Sequence, residues 1–97
     1  MIVISKKENC ILITGHALFN DYGNDIVCSA VSSIVITTIN GILSINDKAI
    51  KYENKDGIKI NLLSKDDITL KLIDNMILLL KELSDKYPKN IKIKEGV

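Results

Sequence analysis

No charged side chain occurs between Ile26 and Asn46. A stretch that long and apolar has to be hidden from water, and its length is close to that of a membrane span. It also carries Ser29, Ser32, Ser33, Thr37, Thr38, Asn40, Gly41 and Ser44, too polar a set for a lone span facing lipid. A helix buried within a soluble domain or at a subunit interface is the expected form. Asp25, a good N-cap residue, stands directly before it, and the helix is predicted to run to about Leu43. Ser29, Ser33, Thr37, Asn40 and Ser44 recur at helical spacing and share one stripe, with Val27, Ala30, Val31, Ile34 and Val35 toward the core. A small sheet hides Val27, Val31 and Ile34. Ile36, Ile39 and Leu43 then need a further partner, and a two-fold homodimer built partly on this helix is the expected answer.

Around this helix the pattern is short and regular. Met1–Ser5 and Cys10–Thr14 read as strands separated by the polar turn Lys6–Asn9, and Gly15–Asn24 reads as a loop. Lys48–Glu53 and Gly57–Leu63 form a second predicted hairpin around Asn54-Lys55-Asp56-Gly57. Ser64-Lys65-Asp66-Asp67 resembles a capping box with Asp in place of Glu. Leu72, Ile73, Met76, Ile77, Leu80, Leu83 and Tyr87 then mark an amphipathic helix that ends before Pro88. Ile91 and Ile93 alternate with lysines in a last strand. The order is β-β-α-β-β-α-β. The fold class is α+β: a single domain over residues 1–97, with an antiparallel sheet and two helices.

Composition narrows the function. The 97 residues carry a net charge of +1, and every basic side chain is lysine. Without arginine there are no forked donors for base edges, and aromatics at 4% offer few stacking platforms. Direct nucleic-acid readout is therefore not expected, although lysine patches could touch RNA weakly. Two cysteines and one histidine fall short of a structural zinc set, so no zinc site is expected. Met1–Lys7 lacks the order of charge, apolar run and cleavage site of a signal peptide, and a cytoplasmic protein is expected.

Chemistry has few carriers here. His16 is the one histidine, at the end of the second predicted strand. Cys28 falls near the third position of the first helix if Asp25 caps it. First-turn N–H groups and the helix dipole push a thiol there toward thiolate, below the usual value of about 8.5. A neighbouring imidazole would complete a Cys–His pair, and the same N–H groups could hold an acyl oxyanion. Each residue also has a plainer role open to it. Cys28 could be a small buried hydrophobe, and His16 a turn residue. Asp25 could be only the cap, or could orient His16. Ser32 could bond a carbonyl of the preceding turn or face the site. Cys10, on the face of Leu12, is assigned to the core.

Taken together, Gly15-His16-Ala17 followed by Gly23-Asn24-Asp25-Ile26-Val27-Cys28-Ser29-Ala30-Val31-Ser32 resembles the signature of the bacterial ribosomal-processing cysteine proteases, the Prp family. That signature is Gly-His-Ala, a short loop, then Gly-x-Asp-Ile-Val-Cys, small residues and a Ser. The spacing of twelve from His16 to Cys28 agrees, and Ser29 is a minor departure. Beyond Ser44 the likeness is one of pattern only. The resemblance implies a homodimeric cysteine endopeptidase with His16 and Cys28 as its catalytic pair and Gly15, Asp25 and Ser32 around them. The implied substrate is the N-terminal extension of the twenty-seventh protein of the large ribosomal subunit, and the implied chemistry needs no cofactor. Two other readings stay open: a non-enzymatic ribosome-associated binding module with a structural Cys28, and a redox-sensing thiol protein.

Overall fold

The computed structural model describes residues 1–15, 26–55 and 57–96. Five strands and two helices follow the predicted order: β1 Ile2–Lys6, β2 Cys10–Thr14, α1 Ile26–Ile45, β3 Ile50–Asn54, β4 Ile58–Leu62, α2 Asp67–Lys86 and β5 Ile91–Glu95. The strands form one sheet in the order β3-β4-β2-β1-β5. The two predicted hairpins are present as antiparallel pairs, and β2 joins β4 antiparallel as well. The sheet is nevertheless mixed, because β5 runs parallel to β1. A hairpin reverses the chain, whereas a crossing helix returns it to the end where it started. α2 carries the chain from the finish of β4 back across the sheet, so β5 runs as β4 does, and it lands beside β1, which has the same direction.

Alternation along the strands gives the sheet one dry face. Ile2 and Ile4, Ile11 and Ile13, Ile58, Ile60 and Leu62 are buried under the two helices. Cys10 lies on the other face: Leu12, two residues on, is exposed, and the core side of β2 is Ile11 and Ile13. The assignment of Cys10 to the core is corrected accordingly. α1 buries Val27, Val31, Val35, Ile39 and Ile42, while Ala30 and Ile34 are half-buried. The polar stripe Ser29, Ser33, Thr37, Asn40 and Ser44 faces solvent as expected. Ile39, expected to need a further partner, is fully buried within the chain, and Ile36 and Leu43 pack against the same core. α2 packs on α1 and buries Ile73, Met76, Ile77 and Leu80 in the same core.

The cap of α2 is Asp66, two residues after the one the capping-box reading implied. Its carboxylate accepts from the Thr69 backbone N–H at 3.2 Å and the Thr69 hydroxyl at 2.8 Å. Ser64, the residue expected to cap, instead donates its hydroxyl to Asp66 at 2.6 Å. This arrangement satisfies Thr69, a buried polar side chain, and so joins the cap to the core. The hydrogen bonds from Ser64, then those from Thr69, hold the Asp66 carboxyl below its ordinary 3.8. A carboxyl depressed by folding stabilises the native state above its unfolded value, and that contribution is lost as pH falls through the lower folded one. Asp66→Asn should therefore flatten the acid limb of a melting-temperature profile taken below about pH 4, the ordinary carboxylate range. An unchanged acid limb would mean that the cap network carries no pH-linked stability.

Candidate active site

The two ends of the sheet differ in chemistry. At one end lie Gly15 at the exit of β2, the start of β1 and the start of β4, where Ile13 pairs with Ile58. At the other end the Lys7–Asn9 turn meets Leu62, whose N–H donates to the Asn9 carbonyl at 2.9 Å. α1 finishes at this second end: Ala49, just before β3, accepts from the Leu63 and Ser64 N–H groups. A helix of 20 residues spans about 30 Å, longer than strands of five residues at about 17 Å. The start of α1, with Cys28 as its third residue, therefore lies toward the Gly15 end.

β2 is the central strand, and its exit is confined from both sides. Gly15 has φ +76, and a Cβ there would collide with the Met1 carbonyl oxygen. Gly57 has φ +122, and a Cβ there would lie 2.6 Å from the Ile13 carbonyl oxygen and 3.1 Å from Thr14 Cγ2. Only glycine combines a left-handed backbone with so close an approach. The pair fixes where the chain leaves the sheet immediately before His16. In the sequence, Asp56-Gly57 signals a turn. The crowding of β2 by Gly57 has no sequence signal, because the contact is with a strand more than forty positions away. Gly15→Ala should lower stability by about 1–3 kcal/mol through backbone strain, with a further loss of catalytic activity. An unstrained Gly15→Ala variant, with wild-type melting and activity, would show that the exit tolerates a side chain.

Cys28 is half-buried and packs against the core cluster beside Val27 and Val31. Ser32, one turn further on, is exposed. Thr38 and Ser44 donate to carbonyls of the preceding turn, at 2.9 and 2.8 Å. Ser32 makes no bond of that kind among the described residues. His16, Asp25, the Gly15–Asn24 loop beyond Gly15, and Asp56 of the turn lie outside the described residues. Of the five candidate residues, the structure thus gives the positions of Gly15, Cys28 and Ser32. A hollow of about 460 Å³ lined by Lys6, Lys7, Glu8, Glu95 and Gly96 opens at the far end of the sheet. It holds no nucleophile suited to acyl transfer, and the candidate chemistry stays at the Gly15 end. Among the described residues no group of three or more His, Cys, Asp or Glu side chains is arranged to hold a metal.

Known proteins share the sequence pattern and the fold of this chain. A family model described as cysteine protease Prp matches residues 1–92. The ribosomal processing cysteine protease Prp of Mycoplasma genitalium is 32% identical over 98 residues, covering 98% of this chain and 96% of that protein. The protein of the same name from Staphylococcus aureus strain Mu50 is 26% identical over 92 residues, covering 90% and 86%. A crystal structure of the S. aureus protease with a covalently linked product peptide superposes with a TM-score of 0.89 at 21% identity, covering 99% of this chain and 100% of that one. A second, with a substrate peptide, gives 0.88 at 20% identity, with the same coverage. With nearly its whole length matched by the family model and by a relative of that identity, this chain belongs to the Prp family of cysteine proteases.

Proposed function

We propose that this protein is a cytoplasmic endopeptidase of ribosome maturation that removes the N-terminal extension of the twenty-seventh protein of the large subunit. The observation that carries the reading is the position of Cys28 in the first turn of a charge-free helix, in a chain that belongs to this family over nearly its full length. Relatives named as ribosomal processing proteases, and the covalent peptide complex of the S. aureus protein, support the substrate class. In the proposed reaction His16 takes the Cys28 proton, and the sulfur attacks the scissile carbonyl. N–H groups of the first turn of α1 stabilise the oxyanion, since first-turn donors lack intrahelical acceptors. His16 then protonates the departing amine, and water hydrolyses the thioester. Gly15 fixes the chain before His16. Asp25 caps α1 or orients the imidazole, and Ser32 borders the site. The test is incubation with the organism's own ribosomal protein and intact-mass analysis. A shortened N-terminus is expected, and an unchanged mass would overturn the substrate assignment.

The packing of Cys28 against the core also suits a second reading, a non-enzymatic ribosome-associated binding module with a structural cysteine. Iodoacetamide separates these two from each other and from a redox-sensing thiol. A structural thiol is inert, a redox-sensing thiol reacts independently of His16, and a protease thiol reacts with dependence on it.

A homodimer forms part of the proposal, on a narrower argument than the sequence suggested. Ile39 is buried within the chain, yet one side of α1 stays exposed along its length. That side carries Ser29, Ser32, Ser33, Thr37, Asn40 and Ser44, an uncharged, small-residue surface that lets a second helix approach closely. α1 is long and apolar enough to cross a membrane. Its five buried residues, however, form part of the sheet's core, and placing it in lipid would uncover the sheet. Sedimentation at micromolar concentration should give a dimer. A clean monomer would show that α1 needs no second copy.

A further inference from the structure

The face of the sheet opposite the helices has an uneven charge that the protease reading does not use. The chain as a whole is nearly balanced at +1. On this face the strands present four exposed lysines, Lys51, Lys59, Lys92 and Lys94, against one carboxylate, Glu53. Pairing aligns them. One row crosses the sheet as Lys94, Ser5, Leu12, Lys59 and Glu53. The next lysine of β5, Lys92, pairs with Val3. Lys94 and Lys59 are three strand spacings apart, about 14 Å, and Lys92 and Lys94 about 6.6 Å apart along β5. Between these flanks β1 and β2 contribute an uncharged strip: Val3, Ser5, Cys10, Leu12 and Thr14. The two ion pairs among the described residues, Lys65 with Glu8 and Lys81 with Glu95, use none of the four lysines. Lysines on edge strands also deter edge pairing. That role does not account for Lys59, which stands on the inner strand β4.

We propose that this face is an electrostatic docking surface for the phosphate backbone of structured RNA, holding the protease against its substrate's ribosomal surroundings. Lysine binds phosphate as a point charge and needs no forked geometry. The absence of arginine and the scarcity of aromatics leave no means of reading base edges or stacking bases, so binding is independent of sequence. The choice of RNA over an acidic protein rests on the ribosomal reading above. The docking face lies on the opposite side of the sheet from the helix that carries Cys28, so the two activities are separable.

The experiment measures fluorescence anisotropy of a labelled RNA hairpin against the full chain at several salt concentrations. Cleavage of a short peptide spanning the expected cleavage site is assayed in parallel. With about three phosphates neutralised, affinity should fall about 40-fold between 50 and 200 mM salt. The combined variant Lys59→Gln, Lys92→Gln, Lys94→Gln should lose at least about tenfold of the affinity at 50 mM and most of the salt slope. Its peptide cleavage should be unchanged. A variant of equal charge change elsewhere, Lys65→Gln, Lys71→Gln, Lys86→Gln, should bind RNA as the wild type does. Equal losses in the two variants, no RNA binding by the wild type at 50 mM, or binding to anionic phosphatidylserine vesicles in place of RNA would each overturn the proposal. Failure of peptide cleavage alone would count against the protease reading and leave the RNA result standing.

Discussion

Cys28→Ala should abolish processing while leaving the protein folded. Removing the nucleophile of a covalent protease lowers turnover by about three orders of magnitude or more, because the remaining groups act only through it. The structural change is small. Cys28 is half-buried, and the substitution deletes one sulfur from the rim of the core beside Val27 and Val31. The expected destabilisation is about 1 kcal/mol, comparable to loss of a single methylene. His16→Ala should give the same loss of activity, and Cys10→Ala should not, since Cys10 stands on the open face of β2. Intact-mass analysis of the ribosomal protein, with a thermal melt of each variant, reads both quantities. A Cys28→Ala protein that still trims its substrate would end the protease proposal.

Ile39→Ala is expected to have the largest effect on stability. Ile39 has no exposed surface and belongs to the buried face of α1 within the common core. Truncating such a residue leaves a cavity that rigid neighbours cannot fill, and it costs about 3–4 kcal/mol. A domain of this size has about 5–15 kcal/mol in total, so the melting temperature should fall by about 15 °C or more. Ile45→Ala, at the exposed end of the same helix, is the control and should shift it little. Urea denaturation of both variants checks the ranking. Equal midpoints would mean that α1 does not pack on the sheet, and would leave a subunit interface as the cover for this helix.

The candidate site was half legible in the chain. Cys28 in a helix's first turn followed from an N-cap residue placed directly before a charge-free run, and the Gly-His-Ala and Asp-Ile-Val-Cys segments carried the family likeness. The confinement of Gly15 and Gly57 was not legible, because it depends on where Met1, Ile13 and Thr14 pass in space.

Local periodicity determined the element order. Alternation made five strands, helical spacing made α1 and α2, and short polar turns made two antiparallel hairpins, because each signal acts between residues a few positions apart. What lay beyond that range only the tertiary structure decided. β5 lands beside β1 and pairs parallel, since the crossing of α2 sets its direction and the free edge of β1 sets its neighbour. Asp66 replaces Ser64 as the cap because a buried Thr69 needs the carboxylate. Ile39 finds its partner within the chain, and Cys10 turns outward, because Ile11 and Ile13 bury more apolar surface on the face the helices cover. A strand's two faces are equivalent until something packs on one of them, and the sequence of β2 alone does not say which side that is.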